Sequence, residues 1–128
     1  MSEAQQERPD GPAINELTED AVSLEASSGY AVSALTTDDG FVVEYETPDG
    51  RNPYKEWDWV AVYEGNEVPS YAHLGDYINW NWTCPHNNCS NTGAAVIPNA
   101  SHESGREYTL VYFTWKWDVA ATATITAP

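Results

Sequence analysis

The feature that most constrains this chain is a repeated short alternation of apolar and polar residues, broken by turn residues every ten or so positions. Val22-Ser23-Leu24-Glu25-Ala26 alternates, and Tyr30 to Ala34 continues the extended pattern. Phe41, Val43 and Tyr45 share one face, with Val42, Glu44 and Glu46 on the other. Trp59 to Tyr63, Ala94 to Ile97 and Tyr108 to Phe113 are short apolar runs, and Tyr77 to Trp82 swaps faces strictly. In the last run Ala121, Ala123 and Ile125 alternate with Thr122, Thr124 and Thr126. Asp38-Asp39-Gly40, Pro48-Asp49-Gly50 and Glu64-Gly65-Asn66 supply turns. Side chains two apart lie on the same face of a strand, so this period predicts half-buried strands. No stretch of ten residues carries a helical apolar stripe; Ala13 to Leu17 is too short. About seven short strands with regular turns predict an all-β fold, a single antiparallel immunoglobulin-like β-sandwich. The expected division is a polar, acidic tail over 1–20 and the sandwich over 21–128.

Charge narrows the function. The chain has 128 residues and a formal net charge of -15, from 20 acids and 5 bases. Residues 1–50 hold 12 of the acids and one base, whereas all six tryptophans lie after residue 56. Nucleic-acid binding needs clustered Lys and Arg, so this balance argues against it. It disfavours an anionic membrane surface as well. No apolar run approaches the roughly 20 residues of a transmembrane segment. Tryptophan, tyrosine and β-branched content argue against a wholly disordered acidic chain.

Gly105-Arg106-Glu107-Tyr108 places a tyrosine just after a turn glycine, at the start of a strand. This is the arrangement of a tyrosine corner, whose hydroxyl bonds back to upstream backbone. Together with Asp58-Trp59-Val60-Ala61-Val62-Tyr63, it carries a family resemblance. The order GFVVEY, EWDWVAVYEG, GDYINWNWT, GREYTLVYF and ATATITAP resembles the immunoglobulin-like or fibronectin-III-like domains at the N-termini of purple acid phosphatase-type metallophosphoesterases. More distantly it is similar to the SKICH domains of inositol phosphatases and autophagy receptors. Ala61 stands where those domains usually carry glycine, and the phosphatase catalytic domain is absent from this chain. The resemblance implies an accessory or interaction module without catalytic residues. It also implies structural roles for Trp59, Tyr63 and Tyr108.

Trp-x-Trp occurs three times, as Trp57/Trp59, Trp80/Trp82 and Trp115/Trp117. On a strand each motif sets two indoles side by side, and neighbouring strands would join them into one aromatic band. Trp59 is expected in the core, as the buried Trp of the third strand of such sandwiches. Trp80 and Trp82 share a face with Ile78, and at least one is expected to be core. Trp115 and Trp117 flank a turn and are expected to be the exposed rings. Exposed aromatic patches mark binding surfaces, so Trp115, Trp117, Trp57, Trp80 and Trp82 are the candidate ligand-binding residues.

Cys84-Pro85-His86-Asn87-Asn88-Cys89 is a short polar loop suited to a Cys84–Cys89 disulfide, which implies an oxidising compartment. The rival is a metal site of Cys84, His86 and Cys89 with His73 or His102, and its spacing lacks zinc-site regularity. The only methionine is Met1, so a blue-copper axial ligand is missing. Sequons at Asn81, Asn88 and Asn99 lend weak support to secretion, with Asn81 poorly placed in mid-strand. The acidic turns lack the ligand spacing of a calcium loop. No phosphate loop or nucleophile motif is present, and no catalytic residue, metal or cofactor is assigned.

The expected function is therefore a non-catalytic binding or accessory module that recognises a glycan or protein surface through aromatic side chains. The alternative is a secreted structural or assembly subunit, fibre or surface protein, that self-associates through its N-terminal segment. The cysteines and sequons point to an extracellular or cell-surface location, although the N-terminus lacks the layout of a signal peptide.

Overall fold

The computed structural model describes residues 28–84, 89–115 and 117–128. The acidic tail and the Val22–Ala26 alternation lie outside them. Among the described residues seven strands form: β1 (Ala31–Thr37), β2 (Gly40–Glu46), β3 (Trp59–Glu64), β4 (Asn79–Trp82), β5 (Thr92–Ile97), β6 (Glu107–Thr114) and β7 (Asp118–Thr126). One short 3-10 turn, Tyr71–His73, sits in the β3–β4 connection. The strands make two antiparallel sheets, β1-β2-β5 and β4-β3-β6-β7. The fold is the all-β sandwich that the period-two pattern predicts.

The core between the sheets follows that pattern. Phe41, Val43, Tyr45, Ala95 and Ile97 come from one sheet, and Val60, Val62, Tyr108, Leu110 and Tyr112 from the other. Burial of such side chains is the main force holding the layers together. Gly40 is required where β2 passes β5. A Cβ there would lie 2.0 Å from the Ile97 carbonyl oxygen, closer than any side chain tolerates.

The four-stranded sheet is buried on both faces. Its outer face carries a second apolar layer of Trp59, Ala61, Tyr63, Val111, Phe113, Trp117 and Val119, covered by Leu74 and by the half-buried Val68, Tyr77, Trp80, Trp82 and Trp115. Double burial explains why WVAVY and YTLVYF read as continuous apolar runs. A shift in the β6–β7 pairing beside Tyr112 and Phe113 lets Val119 face the outer layer while Ala120 and Ala121 face the core.

The seam between β4 and β5 is closed by side chains. Asn81 donates from Nδ2 to the Val96 carbonyl at 2.7 Å, and its Oδ1 accepts from the Trp82 N–H at 2.8 Å. Asn79 donates in the same way to the Pro98 carbonyl. The asparagines of the N-W-N-W strand thus occupy one face as sheet-to-sheet links, while the tryptophans occupy the other.

Candidate functional site

The outer layer of the four-stranded sheet gathers all six tryptophans into one network of ring contacts. Trp59 stacks on Phe113 at 4.2 Å and meets Trp117 edge to face at 5.0 Å and Trp80 at 6.2 Å. Trp80 meets Trp82 at 5.2 Å, Trp82 stacks over Trp115 at 6.2 Å, and Trp115 meets Trp57 edge to face at 5.1 Å. Offset and edge-to-face geometries are the favourable ones for aromatic quadrupoles. Tyr77 joins from the β3–β4 connection against Trp59 and Trp117. Tyr63 is buried beneath it and donates its hydroxyl to the Leu74 carbonyl at 2.6 Å. That bond ties the covering loop to the sheet, and burial raises the Tyr63 pKa, so the hydroxyl stays protonated.

One expectation about these rings holds and two are corrected. Trp59 is fully buried in a core cluster, as expected; that cluster is the outer layer, because Val60 and Val62 take the inward positions of β3. Trp117 is also fully buried and is not an exposed ring. Thr114 pairs with Asp118, so Trp115 and Trp117 lie in the connection from β6 to β7. Trp117 holds its left-handed position at φ 80°. Glycine is the usual residue there. A tryptophan accepts the strain because its ring fills the layer against Trp59 and Phe113.

The side-by-side expectation for the first motif fails for a related reason. Trp57 precedes β3 and has φ 61°, so the strand period does not relate it to Trp59. Only Trp80 and Trp82 sit together within one strand. Trp57 instead meets Trp115 just beyond the end of the β3–β6 ladder, whose last pair is Trp59 and Phe113. Trp57, Trp80, Trp82 and Trp115 are half-buried. They form a ledge over the fully buried Trp59, Trp117 and Phe113. Ala61 pairs with Trp80 across the β3–β4 ladder, and the small side chain leaves room for the indole.

Next to the ledge's Trp57 in the chain stands Asp58, the acid that opens the Asp58-Trp59-Val60-Ala61-Val62-Tyr63 run. Asp58 is fully buried. Arg51 grips it with two bonds, Nε to Oδ2 at 2.8 Å and Nη2 to Oδ1 at 2.7 Å. The Tyr112 hydroxyl donates to the same Oδ2 at 2.5 Å. Burial pushes the Asp58 pKa up, while the bonds from Arg51 and Tyr112 oppose the shift. The Asp58 hydrogen bond raises the pKa of Arg51, which keeps its charge. Tyr30 lies 5.4 Å from the guanidinium and 5.7 Å from the Tyr112 ring. Both carboxylate oxygens are occupied, so this group clamps the 51–58 loop to the sheet rather than offering a free acid or base. The signal that would have found it is an acid placed directly before an apolar central strand, with an arginine in the preceding turn.

Tyr108 is buried at the far end, and its hydroxyl accepts the Glu103 N–H at 2.8 Å, the backbone bond of a tyrosine corner. Cys84 and Cys89 form a disulfide with Cα atoms 6.3 Å apart. Both sulfurs are thereby committed to each other and not to a metal. His73 contacts Asp76 at 3.0 Å, and His102 lies 2.7 Å from the Thr37 carbonyl oxygen. Among the described residues no group of three or more His, Cys, Asp or Glu could hold a metal ion. His86 and the sequon at Asn88 lie outside them.

The sequence profile of the SKICH domain matches residues 30–125. No curated protein and no solved structure matches the chain. Of the two resemblances read from the sequence, the match falls on the more distant one. SKICH domains are non-catalytic protein-interaction modules with a β-sandwich fold. With three quarters of its length inside that match and both sheets of the sandwich in place, the chain belongs to the SKICH domain family.

Proposed function

We propose that this domain is a non-catalytic module that recognises a partner protein through the ledge of Trp57, Trp80, Trp82 and Trp115. The observation that carries the reading is the layering: four half-buried indoles in mutual contact over three fully buried aromatic rings. A sheet that already has one core does not need a second aromatic layer on its solvent side. Tryptophans held rigid in this way lose little conformational freedom when they bind, which suits them as interface anchors. Trp117 supports the ledge from beneath and makes no direct contact with a ligand. The Cys84–Cys89 bond borders the same strand and favours an oxidising, extracellular or cell-surface setting for the interaction.

The same rings favour a second ligand class, since flat indole faces also stack on sugars. Titration of the full chain with candidate proteins and a panel of polysaccharides, read by tryptophan fluorescence, separates the two. Binding on the ledge is lost in Trp115→Ala and Trp82→Ala while the fold persists. A partner whose affinity is the same for wild type and for both variants would show that the ledge is not the site.

A further inference from the structure

The outer face of the other sheet carries a feature that the tryptophan ledge does not explain. Leu35 pairs with Val42 across β1–β2, and Val42 pairs with Val96 across β2–β5. The three side chains therefore form one apolar row across the sheet. Leu35 is 58% exposed and Val96 is 50% exposed. Ser33, Glu44 and Ala94 make the neighbouring row, and Ala31, Glu46 and Thr92 the next. Ala31, Ser33, Glu44 and Glu46 line a shallow groove beside the apolar row. Asp38 and Asp39 are exposed at the β1–β2 turn. No lysine, arginine or histidine occurs in β1, β2 or β5.

We propose that this face docks a basic segment of a partner protein, one that sets aliphatic side chains on the Leu35–Val42–Val96 row and lysine or arginine beside Glu44 and Glu46. Charge selects this occupant. A second copy of the chain packing face to face would bring no cation to Glu44 and Glu46, because the strands of this face carry none. Residues 1–27 carry seven acids and one base, so the chain's own N-terminal part has the wrong sign as well. A cationic segment satisfies the acids, and the apolar row distinguishes a specific partner from any polycation. The proposal does not depend on the ledge, which lies on the opposite sheet.

The test uses the full chain and three synthetic peptides of about ten residues, long enough to cross the sheet. Their sequences alternate Lys-Leu, Lys-Ser and Glu-Leu, and binding is followed by calorimetry at low and high salt. The Lys-Leu peptide is expected to bind, to weaken with salt, and to bind at least about tenfold more tightly than Lys-Ser. Glu-Leu is expected not to bind. Leu35→Ser with Val96→Ser should weaken Lys-Leu binding about tenfold, and Glu44→Gln with Glu46→Gln should flatten its salt dependence. Trp115→Ala should change neither. Equal binding of Lys-Leu and Lys-Ser, or no binding of either, overturns the proposal. So does binding that is indifferent to Leu35 and Val96, or lost in Trp115→Ala. Thermal unfolding of each variant confirms that the sheet is intact; none of the four substituted positions on this face belongs to either core cluster, which keeps the comparison valid.

Discussion

Trp57 and Trp115 meet edge to face with ring centroids 5.1 Å apart, although they belong to different Trp-x-Trp motifs. They meet just beyond the end of the β3–β6 ladder, whose last pair is Trp59 and Phe113. A double-mutant cycle on Trp57→Ala and Trp115→Ala should show favourable coupling of about 0.5–1.5 kcal/mol in urea unfolding. Simple additivity would mean that the ledge rings do not support each other.

Arg51 and Asp58 make the strongest pH prediction. The folded pKa of Asp58 is already raised, so the native state holds a proton more readily than the unfolded chain does. Asp58 therefore costs stability as pH rises from the ordinary carboxylate range through the raised value. Arg51→Met removes a bidentate partner that lowers this pKa, so the shift grows. The variant should lose about 3–5 kcal/mol at pH 7 and recover part of that loss as the pH falls towards 5. Urea unfolding across this range checks it, with Asp58→Asn in the same background as the reference that lacks the recovery.

At Trp117 backbone strain and ring packing oppose each other. Trp117→Ala keeps the left-handed strain and loses the ring, so it should cost about 3–5 kcal/mol. Trp117→Gly loses the ring and removes the strain. It should therefore be more stable than the alanine variant by about 1 kcal/mol. Chemical denaturation of the pair gives the ordering, and an alanine variant as stable as the glycine variant would contradict it.

Tyr108→Phe removes the acceptor of the Glu103 N–H and leaves the ring in place. The expected loss is about 1 kcal/mol, with faster hydrogen exchange confined to the Glu103 amide and its turn.

Reduction of the Cys84–Cys89 bond should lower stability by about 2 kcal/mol, the chain-entropy value for a loop this short. Melting with and without reductant measures it. Retained strand signal in the reduced protein would show that the two-sheet fold does not depend on the bond.

Much of the fold was legible because each strand states its own period. Phe41, Val43 and Tyr45 turn inward, and Val42, Glu44 and Glu46 outward, as alternation requires. The tyrosine of Gly105-Arg106-Glu107-Tyr108 was placed by a turn signal next to it in the chain. The site was less legible. Continuous runs such as WVAVY hide which face is inward, so the sequence marks Trp59 as buried without telling on which side of the sheet it lies. The motif spacing implied three equivalent pairs, yet only Trp80 and Trp82 occupy a strand together.

By itself, the sequence determined that the chain is an acidic β-sandwich with aromatic-rich central strands, since alternation and turn chemistry act between residues close in the chain. Only the tertiary structure decided that all six indoles form one layer, that Trp117 is buried and Trp115 half-exposed, and that Leu35, Val42 and Val96 align. Those outcomes depend on register between strands far apart in sequence and on the left-handed φ of 80° that Trp117 takes between β6 and β7. Register is set by the whole set of pairings at once, and no local run of residues encodes it.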